Sequence, residues 1–270
     1  MLNWKKFAII LFLFFIGKVN SKSWNRIPRS NNDFDALIFT QHWPQTVCYT
    51  WKEKSTSNTC SLPKEHNEWT IHGIWPSQYH KIGPEFCNDK LPFNSTALES
   101  LKEKLQEKWI DIEKGKTSYS LWQHEWDKHG TCAVELEQLN TEIKYFTKGL
   151  ELLSIYDMKN ILAKANIIPG QTYNKTEILN AIEQQLNKRG ILICQENKQT
   201  GKSYIFEIRI CFDKTLELIN CNEMYEYPTN CKSESIIYPD EVPYNKSTII
   251  NNNITMNFIF IFFILFYKYI

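Results

Sequence analysis

The chain has 270 residues, 43% hydrophobic and 23% charged, with a formal net charge of +1 at pH 7. These proportions are those of a globular protein and exclude general disorder, and the length suits one domain or one domain with appendages. No basic run marks a nucleic-acid protein by its field alone.

At the start, MLNWKK leads into the apolar run AIILFLFFIG, and small and polar residues follow to Ser21. That order predicts a cleaved secretory signal over residues 1–21. As an uncleaved anchor the run falls short of the roughly 20 residues a membrane-spanning helix needs. An oxidising route lets thiols pair. The eight cysteines are Cys48, Cys60, Cys87, Cys132, Cys194, Cys211, Cys221 and Cys231. Their even number and the lack of any CxxC favour complete pairing over a zinc site, although spacing alone leaves about 105 connectivities open. Sequons at Asn94, Asn174, Asn245 and Asn253 agree with secretion, the first two being the preferred acceptors. Removing the signal and the tail from Ile254 takes away Lys5, Lys6, Lys18 and Lys268, which reduces 31 basic residues to 27 against 30 acidic ones. The body is then near −3 at neutral pH, and protonation of all six histidines turns this to +3. A negative body repels a polyanion weakly.

Segment Ala36–Tyr49 predicts a strand ending near Pro44, followed by a polar loop to Asn67. WTIHGIWP, Trp69 to Pro76, reads as a short strand broken at Gly73 and stopped by Pro76. Asn94 or Ser95 caps an amphipathic helix through Leu98, Leu101, Leu105, Trp109 and Ile112. Further helical patterns cover Tyr119 to about Cys132, Thr141 through Ile143, Phe146, Leu150 and Leu153, and Thr176 to Lys188. Beyond Gly190 the runs ILICQ, SYIFEIRICF and LELINC are β-rich. The fold class expected is α+β, a single domain over 22–243 with an antiparallel sheet and helices on one core. Residues 244–270 form a polar spacer and an apolar end, NFIFIFFILFYKYI. A glycolipid-anchor signal, a short membrane tail and a plain hydrophobic terminus all remain open, with Lys268 counting against the first.

The chemistry concentrates in LWQHEWDKHGTC. On a helix turning about 100° per residue, His124, Glu125, Lys128 and His129 fall at about 0°, 100°, 40° and 140°, within less than half the circumference. Trp122 and Trp126 point elsewhere and can pack the helix onto the core. A solvated face with i,i+4 pairs such as Glu125 with His129 is the bland alternative. Zinc is disfavoured, because histidines five apart diverge by about 140° and Lys128 sets a cation beside the metal. A phosphodiester suits the same groups, since its oxygens attract Lys128 and protonated histidine while two histidines move protons. RNA supplies its own nucleophile in the 2′-hydroxyl, so no metal or other cofactor is required.

IHGIWP at Ile71–Pro76 and HEWDKHGTC at His124–Cys132 resemble the two active-site segments of the ribonuclease T2 family, in the right order and at a matching separation. Together with TQHWPQTVC at Thr40–Cys48, the resemblance runs from about Asp35 to Pro239 and is nearest to animal secreted and lysosomal members. It implies a metal-independent endoribonuclease with an acidic optimum, acting as a monomer on single-stranded RNA, outside the cell or in the lysosome. His72 and His129 would be the acid and base pair, and His124, Glu125 and Lys128 would hold the phosphate and stabilise the transition state. The products would be a 2′,3′-cyclic phosphate and then a 3′-phosphate. It also implies the disulfides Cys48–Cys60, Cys87–Cys132, Cys194–Cys231 and Cys211–Cys221. Trp75 is the first candidate for stacking a base, then His42 and Trp43. Several microbial members carry an acidic residue where this chain has Ser77, so their base preference does not transfer. The rival reading is a secreted binding protein that kept the fold without the chemistry.

Overall fold

The computed structural model describes residues 33–243 except 82, 116, 118 and 225–227. The expected signal, the apolar tail and the sequons at Asn245 and Asn253 lie outside the described residues.

Strand β1 (Ala36–His42) is buried along its whole length. Pro44 then opens helix α1 (Pro44–Lys54), where its fixed φ suits the first turn and its missing N–H costs nothing. The strand expected to end near Pro44 stops at His42, and the helix that follows was concealed by its β-branched and aromatic residues. Strand β2 (Thr70–Ser77) continues past Gly73 and through Pro76, which lies opposite Leu37. A proline is tolerated there because β2 is an edge strand.

The long helix expected after Asn94 arrives in pieces: a 3-10 segment (Ser95–Leu101), helix α2 (Lys102–Lys108), and an irregular stretch in which Trp109 and Ile112 are still buried. Helix α3 (Ser120–Lys128) ends at His129, and residues Gly130–Cys132 form a 3-10 turn instead of more helix. Helix α4 (Glu142–Ile155) is capped by the Thr141 hydroxyl. Helix α5 (Met158–Ala163), strand β3 (Gln171–Asn174) and strand β7 (Ser235–Tyr238) had no counterpart in the sequence reading, being too short to display a period. Helix α6 (Lys175–Leu186) closes with Asn187 in the left-handed region. The β-rich runs become β4 (Ile191–Glu196), β5 (Ser203–Phe212) and β6, reduced to Leu218–Ile219.

β5 is the hub of the sheet. It pairs antiparallel with β1, β4 and β6 and parallel with β7, while β2 adds to β1 and β3 to β7. The sheet is thus antiparallel except at the β5–β7 contact. Leu37 and Phe39 of β1 enter the main core with Trp109, Trp122, Trp126, Tyr145 and Phe146 from the helical layer. Ala36 and Ile38, on the opposite face, join Cys211, Cys221 and Met224 in a smaller cluster beside Trp75. Both faces of β1 are therefore covered, which explains why its sequence lacks a polar alternation. The four disulfides pair Cys48–Cys60, Cys87–Cys132, Cys194–Cys231 and Cys211–Cys221, as the resemblance implied.

Since the ribonuclease T2 resemblance ends near Pro239, a chain truncated after Tyr244 should be secreted and retain full activity. A truncated chain that is secreted but inactive would move the domain boundary into the tail.

Candidate active site

The site begins with one extra residue in β2. Thr40 lies opposite Gly73 and Gln41 opposite Ile71, so His72 has no partner across the ladder and forms a bulge. A bulge turns a side chain away from the strand's alternation, and here it brings His72 and Trp75, three positions apart, into ring contact at 5.1 Å. Cross-strand partners share a face. The rows Trp75–Ile38–Cys211, Gly73–Thr40–Arg209 and Thr70–His42–Glu207 therefore build one functional face. On the open edge of β2, Trp109 Nε1 donates to the His72 carbonyl at 2.8 Å, and the Tyr145 hydroxyl donates to the Ile74 carbonyl at 2.8 Å. These side chains take the place of a neighbouring strand and fix the bulge.

Helix α3 brings the second half of the site. A Cβ at Gly73 would lie 2.0 Å from Glu125 Oε2, so glycine is what lets the helix carboxylate reach the strand. Glu125 is buried; its Oε2 accepts the Trp75 indole N–H at 2.8 Å, and its Oε1 lies 3.8 Å from His72 Nε2. Trp122 and Trp126 are buried as expected, and the Trp126 ring fills the space a Cβ at Gly130 would occupy. His129 follows the last helical turn with φ −118°, so the angles of a continuous helix do not apply to it. Its ring sits 5.3 Å from Trp75, and one donor atom from each of His124, Glu125 and His129 lies within 4.8 Å of the others. The argument against a metal from helical angle is corrected by this convergence. Lys128 remains the group that favours an anion there, and its ammonium lies 3.3 Å from Glu85 on the rim. Cys87–Cys132 and the Phe86 N–H to Lys128 carbonyl bond tie that rim to the end of α3. His72, Trp75, His124, Glu125, Lys128 and His129 all line one cleft of about 710 Å³.

The charges in this cleft are sorted by their surroundings. Burial opposes a proton on His72, but the charge and hydrogen bond of Glu207 outweigh it, with Glu125 helping and Arg209 opposing, so the pKa is raised. Burial also works against ionised Glu207, yet His72 and Arg209 hold its pKa down at about 2. Burial pushes Glu125 up to about 7 against the pull of His72, the Trp75 N–H and Lys128. His129 is lowered to about 2, first by burial and then by Lys128, His124 and His72. The two ring systems flanking Trp75 therefore differ: His72 favours its charged form and His129 its neutral one.

Of the three proposed base-binding residues, only Trp75 lines the cleft. Its ring is half-buried, with the Arg209 guanidinium 5.0 Å from its centroid. His42 lies behind His72, 5.3 Å from it, buried with Nε2 unpartnered. Trp43 is fully buried, donates to the Pro239 carbonyl at 2.7 Å and packs on Trp69 and Tyr238. It is a core residue and presents no face to a base, because it is held at the junction of β1 and α1. Asn94 and Asn174 are exposed, and each caps a helix through Oδ1. Sequence reasoning missed Glu207 and Arg209. Two charges at alternate positions of an otherwise apolar strand, FEIRIC, were the available signal, since such groups are buried only when paired.

Residues 34–221 match the model of the Ribonuclease T2 family. The chain belongs to that family. It is 36% identical over 214 residues to ribonuclease Oy of Magallana gigas, covering 77% of this chain and 97% of that one. Against ribonuclease T2 of Homo sapiens it is 33% identical over 205 residues, 74% of this chain and 75% of the relative. The solved structure of human RNase T2 superposes with a TM-score of 0.64 at 30% identity, over 77% of this chain and 99% of the other. RNase NT in complex with 5′-AMP gives 0.65 at 26% identity, over 77% and 98%. This ribonuclease T2 family member is an endoribonuclease acting on RNA.

Burial, with the charge of nearby His72, lowers the pKa of His42 to about 3, so in acid the unfolded chain takes up this proton before the folded one does. Its contribution to stability is complete above about 6.5 and is lost as pH falls toward about 3, at up to ~1.4 kcal/mol per pH unit. His42→Gln should therefore lose less melting temperature than wild type between about pH 7 and about pH 4. Parallel losses in the two proteins would mean that His42 is not held neutral.

Proposed function

We propose that the enzyme cleaves single-stranded RNA without a metal, through a 2′,3′-cyclic phosphate to 3′-phosphate ends, with its optimum below neutrality. The observation that carries this reading is the pairing of a histidine favoured in its charged form, His72, with one favoured in its neutral form, His129, on either side of Trp75.

In the first step neutral His129 takes the proton from the 2′-hydroxyl as that oxygen attacks phosphorus, and His72 protonates the departing 5′-oxygen. In the second, water opens the cyclic ester with the two roles exchanged. Lys128 and His124 stand at the cleft to hold the phosphate charge. Glu125, protonated below about 7, can donate a hydrogen bond to a phosphoryl oxygen as its charge grows. The open part of the Trp75 ring offers a surface on which an unpaired base stacks. The signal-like N-terminus, the sequons and the four disulfides support entry into the secretory pathway, toward an extracellular or lysosomal destination.

These groups shape the pH profile. His129 stays neutral until about 2, whereas Glu125 loses its proton at about 7 and His72 holds its own beyond the ordinary histidine range, so activity should extend far into acid and fall on the alkaline side. An optimum above about pH 7.5 on both a dinucleotide and long RNA would count against the assignment.

Digestion by the mature chain in EDTA should release 2′,3′-cyclic ends before 3′-phosphates and leave DNA intact; inhibition by the chelator would sink the metal-free mechanism. His72→Ala and His129→Ala should each lower turnover by about 10²- to 10⁴-fold, with smaller losses for His124→Ala, Glu125→Gln and Lys128→Ala. A His72→Ala enzyme within about twofold of wild type would refute that residue's role.

A further inference from the structure

We infer that Glu207, with Arg209 as its counter-ion, is a positioning residue for the cyclising step: its carboxylate fixes the His72 ring by Nδ1 so that Nε2 carries the proton delivered to the leaving 5′-oxygen. The inference rests on the proposed role of His72 as general acid and extends it to a pair on β5.

Both oxygens of Glu207 are committed. Oε1 takes the His72 Nδ1 hydrogen bond at 2.7 Å, and Oε2 receives Arg209 Nη2 at 2.6 Å and Nε at 3.0 Å. The carboxylate is 2% exposed, so it has no water to replace either partner. Arg209 is itself fixed, its guanidinium spread over the Trp75 ring. A bulged residue has no ladder partner to set its orientation, and His72 thus depends on side chains. The hydrogen bond to an ionised carboxylate places a proton on Nδ1. The acidic proton is then the one on Nε2, the nitrogen that faces Glu125.

Every element packed on His72 contributes to its titration. β5 presents Glu207 and Arg209, β1 presents His42, and the end of α3 presents Glu125 and His129, with Lys128 and His124 beyond them. Glu207 is the strongest influence raising the His72 pKa, and Arg209 lowers it. The two β5 residues therefore act on the general acid in opposite senses, as their opposite charges require.

The test measures kcat/KM against pH on a dinucleotide for Glu207→Gln and Arg209→Gln, and titrates the His72 imidazole by NMR in each. Glu207→Gln keeps an acceptor for Nδ1 and removes the charge, so its alkaline limb should move down by about one pH unit, a loss of about tenfold near neutrality that shrinks in acid. Arg209→Gln should move the limb up. A nucleoside 3′-(4-nitrophenyl phosphate) has a leaving group that needs no proton, and Glu207→Gln should cleave it at close to the wild-type rate. That rate also shows that the variant is folded and that His129 still serves as base. Limbs and imidazole titrations that stay in place, or equal losses on both substrates, overturn the proposal. If neither variant folds, the ¹⁵N shifts of wild-type His72 decide the matter, and a neutral ring protonated on Nε2 alone overturns it. Wild-type enzyme that releases no cyclic phosphate refutes the proposed reaction itself, which is a separate result.

Discussion

One inserted residue sets the geometry of this enzyme. A regular β2 would send His72 and Trp75, three positions apart, to opposite faces of the sheet, and no pocket could use both. The bulge at His72 removes that conflict, and the glycine after it leaves the space that Glu125 enters. The bulge survives at a sheet edge because Trp109 and Tyr145 satisfy the outward carbonyls on either side of Gly73. Much of the helical layer can be understood as support for this point: Trp122 donates to the Trp109 carbonyl, and the Tyr145 ring packs on Trp109 and Trp126.

Around His72 two carboxylates are buried within reach of one imidazole, an arrangement that could not persist with every group in its ordinary charge state. The conflict is resolved by unequal partnership. Glu207 receives a guanidinium and an imidazole and stays ionised. Glu125 receives one indole N–H and is the acid that burial drives toward protonation. Two residues of the same class are therefore held in different charge states by their surroundings.

Two histidines buried in their neutral form place a load on the fold. His42 and His129 are buried neutral, so lowering the pH favours the unfolded chain, which protonates them freely. The four disulfides work in the opposite direction, each restricting the unfolded ensemble by typically ~2–4 kcal/mol. Cys87–Cys132, which spans 45 residues, has a second effect because it joins the cleft rim to the end of α3. Resistance to unfolding in acid and the placement of Lys128 and His129 thus draw on the same covalent link.

The sequence by itself determined the residue types of the candidate cleft, the α+β class, and the helices whose apolar period ran for three turns or more, such as α4 and α6. It carried the two histidine segments whole, because each is a short contiguous stretch whose chemistry shows in its spelling. Short elements such as α5, β3 and β7 were illegible, since four to six residues contain too few repeats to define a period, and α1 was hidden by strand-favouring residues inside a helix. The fate of Trp43 was equally beyond reach, because its burial follows from packing on Trp69 and Tyr238 at the junction of β1 and α1, contacts that no local pattern displays. Only the tertiary structure decided that Glu207 and Arg209, some 135 residues from His72, complete its surroundings. Strand register selects such partners, and register is a property of the assembled sheet that no local pattern encodes.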